Sequence, residues 1–385
     1  MQVVIVGGGF AGIKSAIELS RRGFSSVTLI SDQPYFLNRS TLHKLVRQDD
    51  ESASIMQLDD LLAGYPSVKL VHDRLTSIDP ERRQIRCKSK KYYYDKLILA
   101  LGNITDFTSV KGSKKHSFDI EAISHIRRLR KHLVDSLNSP EEANEEYKIV
   151  GGGQTGVELA GSLASFVNQL NNNFDIANRR ITIGLIEKQA RLLPNFSQTA
   201  GQQAKKRLEA LGVSVITGRT VNQIDKDTVT LDGHVLPSTT TLWATGTATH
   251  PFYQDNPDYF KLDNQGNVVV NPYLETCQDV HVLGDNTNIH AVNSANNAIA
   301  MGSYIADHLT RLASGRSLRD FKPRRPLITI PIGDDWAYAQ YRRIYSTERF
   351  AYQLHRRQMI KNYRQIMPKN KAVEAWNIYD LRQFD

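Results

Sequence analysis

The sequence predicts an α/β fold that contains the same β-α-β unit twice. An apolar run at residues 2–6 is followed by glycines and then by a helical pattern, and the same order recurs from residue 147. Two further apolar segments, at 94–102 and 241–246, each end in Ala-x-Gly. Continuous apolar strands that alternate with helices are typical of a parallel sheet covered by helices. The chain is therefore predicted to be an internal duplication.

The first unit begins at the N-terminus. Residues 2–6 are apolar and β-branched, which predicts a buried strand that ends at the glycines of 7–12. Residues 13–22 have a helical pattern, and residues 26–30 are predicted to form the next strand. Parallel strands need such a crossover helix, so the two strands are expected to be neighbours in one sheet.

The second unit repeats this order. Residues 147–150 predict a strand, 151–156 a glycine turn and 157–170 a helix, before a strand at 181–186. The polar stretch 171–180 is predicted to be a loop between that helix and that strand.

Both glycine turns have the spacing G-x-G-x-x-G. In this motif the first glycine permits a tight turn, the second lets the backbone approach a pyrophosphate, and the third packs the helix against the strand. The helix N-terminus then faces the phosphates. One such turn is weak evidence, but two in the same context predict two dinucleotides, a flavin and a nicotinamide. The glycines concerned are Gly7, Gly9 and Gly12, and Gly151, Gly153 and Gly156.

Each unit also offers an acidic residue for the ribose of its dinucleotide. Asp32 follows Gly12 at about 20 residues, where an acceptor for the ribose 2′-hydroxyl is expected, although Ser31 occupies the strand tip itself. Glu187 stands at the tip of the equivalent strand in the second unit. A carboxylate there favours NADH over NADPH, and Lys188 beside it weakens that discrimination.

A third anchor follows a short apolar strand at 280–283. This strand ends in Gly284 and Asp285, and ligands bind at the carboxyl ends of strands in open α/β sheets. A helical pattern then covers 298–312, and Ser294 is a candidate N-cap for it. The positive end of that helix would stabilise a reduced, anionic flavin.

Together these motifs resemble those of the type II NADH:quinone dehydrogenases, within the two-dinucleotide-binding-domain, pyridine nucleotide-disulfide oxidoreductase-like flavoproteins. The resemblance covers roughly residues 1–310 and implies FAD and NADH as cofactors. It implies that Glu158 lies near the flavin–nicotinamide contact, as the catalytic candidate that orders nicotinamide or moves a proton, and that Asp285 lies on the FAD ribityl chain. It adds, as cofactor-binding residues, Phe10, Ala11, Ala100, Gly102, Gly284 and Ala295 for FAD, and Gln154, Thr155, Thr245 and Gly246 for the nicotinamide side.

The resemblance also implies a domain order. Two Rossmann-like dinucleotide-binding domains are expected, with a discontinuous FAD domain at 1–110 and 247–320 and an inserted NAD(H) domain at 111–246. A small basic region at 321–385 completes the chain.

One departure concerns the electron acceptor. Members of the resembled family usually carry glutamines early in the helix after Gly-Asp, where they line the quinone site. Here Asn296 replaces the first glutamine, and Ala300 falls near the second. From the resemblance, Asn296 and Ala300 are expected to contact the quinone.

The two cysteines argue against several other chemistries. Cys87 and Cys277 are far apart in the sequence and form no CxxC motif, which favours neither a disulfide framework nor a zinc site. Disulfide reductases and sulfide:quinone reductases need neighbouring cysteines for covalent redox intermediates. No metal ligand and no nucleophile is assigned.

The net charge of +9 lies in the C-terminal part of the chain. A helix predicted at 347–367 has an apolar and a basic face, which favours contact with an anionic membrane surface. Packing on its own domain, a homodimer interface and an acidic protein partner remain alternatives, and no motif predicts nucleic-acid binding. The apolar face consists of Tyr352, Met359, Tyr363 and Ile366, and the basic face of Arg357, Lys361 and Arg364.

The leading functional hypothesis is an FAD-dependent NADH dehydrogenase that passes two electrons to a quinone. The alternatives are a soluble NADH-dependent reductase of a small electron-transfer protein and a low-turnover sensor that binds flavin and NADH. The sequence contains no signal peptide and no apolar run of about 18 residues. A cytoplasmic protein is expected, peripheral on the inner face of the cell membrane if the basic region binds lipid.

Overall fold

The computed structural model describes residues 1–47, 50–138, 144–173, 181–289, 295–323 and 325–379. Its centre consists of two parallel sheets, each covered by helices on one face and by a small antiparallel sheet on the other. The predicted α/β class with a duplicated β-α-β unit is confirmed.

The first sheet has six strands in the order β19-β20-β9-β1-β2-β5, and only the edge strand β19 is antiparallel to its neighbour. Because β19 and β20 come from far along the chain, this domain is discontinuous, as predicted. Its strands are β1 (Val3–Val6), β2 (Val27–Ser31), β5 (Val68–His72), β9 (Lys96–Leu99), β19 (Glu275–Cys277) and β20 (Val280–Val282).

Helices α1 (Phe10–Arg21) and α8 (Ala295–Ala313) pack together on one face of this sheet. A Cβ atom on Gly302 of α8 would lie 2.7 Å from the carbonyl oxygen of Ala11, so the two helices need a glycine at their closest approach. The opposite face is covered by an antiparallel sheet of β6 (Leu75–Asp79), β7 (Gln84–Cys87) and β8 (Lys91–Tyr93).

The second sheet is wholly parallel, in the order β13-β12-β11-β17. Its strands are β11 (Glu145–Val150), β12 (Ile181–Glu187), β13 (Val213–Thr217) and β17 (Thr240–Trp243). Helices α4 (Ile123–Asn138), α5 (Gln154–Asn173) and α6 (Gln198–Ala210) cover one face. The antiparallel strands β14 (Val221–Ile224), β15 (Thr228–Leu231) and β16 (His234–Pro237) cover the other.

The second glycine unit therefore differs slightly from its prediction. Helix α5 begins at Gln154 and continues to Asn173, so the first part of the predicted 171–180 loop is helical. Residues 174–180 lie outside the described residues. The end of this helix could not be recognised from the sequence, because the asparagines at 171–173 are poor helix formers.

Short elements join these layers. The 3₁₀ helix η1 (Arg39–Val46) lies between the paired strands β3 (Tyr35–Leu37) and β4 (Ile55–Gln57). Strands β10 (Ile104–Thr105) and β18 (Thr247–Ala248) pair with each other where the chain passes between the two parallel sheets. The remaining helices are α2 (Leu58–Leu62), α3 (Ser113–His116) and α7 (Pro251–Gln254).

The C-terminal region forms a unit that the sequence predicted only in part. An antiparallel sheet of β21 (Ile328–Pro331), β22 (Ala337–Tyr341) and β23 (Ile344–Thr347) precedes α9 (Glu348–Tyr363) and α10 (Lys369–Tyr379). Only the helix at 347–367 was predicted. Among the described residues, no helix combines the length and apolar character that a membrane span requires.

Within α9 the apolar and basic faces are as predicted, but the helix ends at Tyr363, so Arg364 and Ile366 of the predicted faces lie beyond it. The apolar face packs on the chain itself. Tyr352, Met359, Tyr363 and Ile366 are all at most 5% exposed. The Tyr363 hydroxyl donates a hydrogen bond to the carbonyl oxygen of Ala53 at 2.7 Å. This corrects the interpretation of α9 as a lipid-facing amphipathic helix, since its apolar face is already covered.

Candidate functional site

A cavity of about 1350 Å³ lies between the two parallel sheets and is lined by residues of both. Pockets for one small ligand usually measure about 300–1000 Å³, so this space suits more than one cofactor. Most of the predicted site residues line it, namely Gly7, Gly9, Phe10, Ala11, Asp32, Ala100, Gly102, Gln154, Thr155, Glu158, Gly284, Asp285 and Ala295.

The first glycine of each turn lies against the end of a neighbouring strand. Gly7 has φ +119° and Gly151 has φ +112°, values that L side chains rarely adopt. A Cβ atom would lie 2.2 Å from the carbonyl oxygen of Ala100 at Gly7, and 2.5 Å from that of Ala244 at Gly151. The two predicted Ala-x-Gly segments are thus the surfaces against which the two turns pack.

The other two glycines of each turn divide their roles in the same way. A Cβ on Gly12 would lie 2.0 Å from the carbonyl oxygen of Gly7, and one on Gly156 would lie 1.8 Å from that of Gly151. These third glycines hold helix against turn. At Gly9 and Gly153, by contrast, a Cβ would meet no atom within 4 Å. The second glycines therefore leave open space beside the backbone, as binding of a pyrophosphate requires.

The predicted ribose acceptors occupy different positions in the two units. A Cβ on Gly152 would meet Glu187, and a Cβ on Gly8 would meet Ser31, so Ser31 is the counterpart of Glu187 at the strand tip. Asp32 lies one residue later, with a half-exposed side chain 3.9 Å from the guanidinium of Arg74. It still lines the cavity.

Several predicted residues do not line the cavity. Glu187, Thr245 and Gly246 are near the second turn but do not line the cavity, and neither do Gly151, Gly153 and Gly156 of that turn or Gly12 of the first turn. Asn296 and Ala300 are half-buried on the first turns of α8 and also lie outside the lining. The proposed cap Ser294 lies outside the described residues.

An arginine that the sequence motifs missed sits among the cavity's acidic groups. Arg39 of η1 lies 3.3 Å from Glu121 and donates a hydrogen bond to the carbonyl oxygen of Asn103 at 2.7 Å. Burial raises the pKa of Glu121 and of Asp285, and the charge of Arg39 opposes both shifts. No local motif marked Arg39 or Glu121, because tertiary packing brings them to the cavity.

A second missed group joins the two domains. The Asn103 amide donates to the hydroxyl of Thr247 at 3.2 Å, and the Asn286 amide donates to the side-chain oxygen of Asn103. These residues directly follow Gly102, Gly246 and Asp285, so the polar link fixes the three strand ends relative to one another.

Glu158 is the acid of the cavity that α5 provides. It accepts a hydrogen bond from the Gln154 amide at 2.9 Å, and its other oxygen lies 3.5 Å from Nδ1 of His43. Burial raises the pKa of Glu158 to about 8, against the opposing hydrogen bond from Gln154. Burial also lowers the pKa of His43 well below its usual value, and Lys44 and His355 add to that shift. Both shifts favour the uncharged forms of the two side chains.

Both cysteines are free thiols in this structure. Burial raises the pKa of Cys87 to about 12, with a contribution from Asp73, and burial also raises the pKa of Cys277. Neither environment favours the reactive thiolate. Within the described part of the chain, no group of His, Cys, Asp and Glu has the arrangement of a metal site.

Comparison with known families agrees with this geometry. The model for the pyridine nucleotide-disulphide oxidoreductases matches residues 1–302, which is most of the chain. The chain belongs to this family. The match spans both glycine turns and both Ala-x-Gly segments.

A relative and two solved structures are similar to this chain over most of its length. A type II NADH:quinone oxidoreductase of Staphylococcus epidermidis is 25% identical over 351 residues, which cover 83% of this chain and 85% of the relative. The structure of NDH2 from Plasmodium falciparum in complex with NADH has a TM-score of 0.87 at 18% identity, covering 98% of this chain and 97% of that one. The sulfide:quinone oxidoreductase of Aquifex aeolicus has a TM-score of 0.79 at 18% identity, covering 96% and 93%.

Proposed function

We propose that the protein is an FAD-dependent NADH dehydrogenase that passes two electrons on to a quinone. The observation that carries this proposal is one cavity lined by the first glycine turn and by Gln154 and Thr155, which directly follow the second turn. Each turn has an open second glycine, so each can hold a pyrophosphate, and the cavity between them has room for both cofactors. The similarity to type II NADH:quinone oxidoreductases of Staphylococcus supports NADH as donor and quinone as acceptor.

The residues present fit FAD on the first turn. Gly7, Gly9 and Ala11 would lie along its pyrophosphate, and Asp32 would accept a hydrogen bond from the ribose. Asp285 and the N-terminal end of α8, which reaches the cavity at Ala295, would lie along the ribityl chain and ring. When bound, FAD accepts a hydride from NADH and passes the electrons to the acceptor.

NADH would occupy the second turn. Gln154 and Thr155 at the start of α5 would face its phosphates, and Glu187 would bind its adenosine ribose. Glu158, one turn further along α5, would then be close to the nicotinamide. Thr245 and Gly246, beside Ala244, would border the same ligand.

Stopped-flow spectroscopy tests this function directly. NADH is mixed anaerobically with the purified flavoprotein, and a soluble quinone is added afterwards. We expect the visible flavin absorbance to fall with NADH and to recover with quinone. Loss without recovery would instead support a protein acceptor or the low-turnover sensor, and no loss at all would contradict the assignment of NADH to the second turn.

For the membrane partner we propose a surface other than α9. The turn between β22 and β23 carries Tyr341, Arg342, Arg343, Ile344 and Tyr345, which we call the hairpin tip. Ile344 is 80% exposed, and both tyrosines are about half exposed. Exposed aromatic and aliphatic side chains with adjacent arginines suit the interface of an anionic membrane.

Further basic and apolar side chains lie beside the hairpin tip. Arg325 joins Arg342, Arg343 and Ile344 around one shallow surface cavity. Phe350, at the start of α9, is 65% exposed. We propose that this surface holds the protein peripherally on anionic lipid.

Vesicle co-sedimentation tests the hairpin tip. We expect binding to vesicles that contain phosphatidylglycerol and not to pure phosphatidylcholine. Replacing Arg342 and Arg343 by Gln removes about 1 kcal/mol per arginine, so binding falls roughly thirtyfold. Ile344→Asp weakens it as well, whereas Val235→Asp, a matched control at another exposed apolar site of 65% exposure, leaves it unchanged.

Two other partners are outcomes of the same experiment. If the wild-type protein does not bind vesicles, the basic hairpin tip instead favours an acidic electron-transfer protein, and the soluble reductase becomes the better hypothesis. A homodimer through the tip would be detected as a change of sedimentation coefficient that Ile344→Asp abolishes.

A further inference from the structure

A row of buried ionisable groups leads from the cavity into the C-terminal unit. Glu158 and His43 line the cavity, and both are at most 6% exposed. Lys44 and His355, at most 4% exposed, continue the row away from the cavity. Buried polar and ionisable groups are costly, so such a concentration at the border of two structural units calls for a functional reason.

The 3₁₀ helix η1 carries the middle of this row. It packs against α4 and α5 on one side and is hydrogen-bonded to α9 on the other. Lys44 Nζ donates to the hydroxyl of Tyr352 at 3.1 Å. Just before η1, the Asn38 amide donates to the hydroxyl of Tyr363 at 2.9 Å. His43 is thus fixed between the helix that carries Glu158 and the helix that carries His355.

The far end of the row comes to the surface. His355 Nδ1 lies 3.0 Å from the hydroxyl of Thr329, which in turn donates to the side-chain oxygen of Gln358 at 3.1 Å. Thr329 and Gln358 are both partly exposed. Polar atoms therefore extend from His355 to solvent on the C-terminal side of the molecule.

The proposed reaction needs one proton from solvent in each turnover. A quinone that becomes a quinol takes up two electrons and two protons. NADH supplies both electrons and one of the protons as a hydride, so the second proton must enter through the protein. Glu158 is held close to the place where that proton is used.

We propose that His43 is the relay residue that returns a proton to Glu158 from the C-terminal side of the molecule. This inference rests on the proposed function. In each turnover Glu158 gives up its carboxyl proton, Nδ1–H of His43 passes a proton to the carboxylate, and the imidazole takes up a replacement on Nε2. The ring ends the cycle as the other neutral tautomer, which reverts by exchange with solvent along the row.

The charges around His43 agree with this role. It faces Glu158 from α5, Lys44 from η1 itself and His355 from α9. Burial and the two nearby basic groups lower the pKa of His43, so a positive charge on the ring is short-lived. An imidazole that is protonated only transiently can transfer protons without leaving a lasting charge in the protein interior.

The first test separates proton uptake from electron transfer. Reduction of the flavin by NADH consumes no solvent proton, and ferricyanide takes electrons without protons, whereas quinone needs the proton. In His43→Gln we expect reoxidation by quinone to slow about a hundredfold. Reduction by NADH and reoxidation by ferricyanide should change much less. His308→Gln, a buried histidine far from the cavity lining, is the matched control.

The second test does not depend on turnover. Infrared spectroscopy of the FAD-loaded protein follows the carbonyl band of protonated Glu158, which is assigned by its loss in Glu158→Gln. After a rapid drop of pH the band returns as Glu158 takes up a proton. We expect this return to slow at least tenfold in His43→Gln, and also in His355→Gln, but not in His308→Gln.

The outcomes are distinct. Equal rates of proton return to Glu158 in wild type and His43→Gln would overturn the relay. The relay would also be overturned if His43→Gln slowed flavin reduction by NADH and reoxidation by quinone and by ferricyanide equally, because that result indicates a structural role. If His43→Gln loses FAD, His43→Asn replaces it in the same tests. Failure of the proposed function would be seen separately, because NADH would not reduce the wild-type flavin while the infrared measurement would still report on His43.

Discussion

The carboxyl group of Glu187 accepts a hydrogen bond from the backbone N–H of Gly152 at 2.6 Å. Its other oxygen accepts one from the N–H of Gln189 at 2.7 Å. The carboxylate is therefore held at the tip of β12 by the turn that we assign to the nicotinamide cofactor. Its counterpart Ser31 carries no charge, so the two units present different groups at equivalent positions.

This fixed carboxylate leads to a prediction about cofactor choice. Glu187→Gln keeps an oxygen for the Gly152 N–H but removes the negative charge that repels the 2′-phosphate of NADPH. We expect the preference for NADH over NADPH, measured as a ratio of kcat/KM values, to fall about tenfold or more, since hydrogen bonds to charged groups contribute about 1.5–3 kcal/mol. Substitution of the exposed Glu209 is the control, and an unchanged ratio would contradict the assignment.

The open glycines lead to a prediction about which cofactor is lost. Gly9→Ala and Gly153→Ala add a methyl group where no atom lies within 4 Å, so the fold tolerates both. We expect Gly9→Ala to be purified without FAD, and Gly153→Ala to keep FAD but no longer be reduced by NADH. Gly12→Ala is the contrasting variant, because its methyl group would meet the carbonyl oxygen of Gly7. Gly12→Ala should lower the free energy of unfolding by about 1–3 kcal/mol. If all three variants had the same effect on stability and cofactor binding, the glycines would not divide between packing and ligand binding as we propose.

The glycine turns were predictable from sequence because their function is local. Within six residues, each turn has a glycine with positive φ, a glycine packed closely against a backbone carbonyl, and a glycine beside open space for a ligand. Only glycine satisfies the first two conditions. Arg39 and His43 could not be found in this way. They lie on a 3₁₀ helix whose place in the cavity wall is decided by packing against α4, α5 and α9, and no periodicity in the sequence records that packing.

The C-terminal helix illustrates a different limit. The spacing of Tyr352, Met359 and Tyr363 correctly predicted one apolar face, but a lipid surface and a protein core select the same spacing. The structure covers this face with the chain's own core. What distinguishes the hairpin tip is exposure of Ile344, which depends on a β-turn that helical periodicity could not reveal.

Glu158 leads to a prediction about stability. Its pKa is raised by burial to about 8, compared with about 4.3 in an unfolded chain. Its contribution to stability is complete below pH 4.3 and is lost as the pH rises to 8, by up to about 1.4 kcal/mol per pH unit. Glu158→Gln removes this titration, so we expect the variant to be more stable than wild type at pH 8 and nearly equal at pH 4. Urea unfolding at the two pH values measures the difference, and a variant that is less stable at pH 8 would refute it.

His281 acts on stability in the opposite direction. Burial lowers its pKa to about 3, with the charges of His308 and Lys96 adding to the shift while Asp279 and the Tyr273 carbonyl oppose it. Because the folded value lies below the unfolded value of about 6.5, its contribution is present above pH 6.5 and is lost as the pH falls towards 3. The ring donates to the Tyr273 carbonyl oxygen at 3.3 Å, a bond that an amide can replace.

We therefore expect His281→Gln to reduce the loss of stability on acidification. Between pH 6.5 and 5 the wild-type protein should lose up to about 2 kcal/mol more than the variant, at 1.4 kcal/mol per pH unit. The comparison is made by urea unfolding at both pH values, with exposed His234 replaced by Gln as control. Parallel acid curves for wild type and His281→Gln would mean that other groups govern the acid sensitivity. If the loss of stability between pH 6.5 and 5 is smaller in His281→Gln than in His234→Gln, the acid sensitivity is assigned to the buried ring of His281 beside His308.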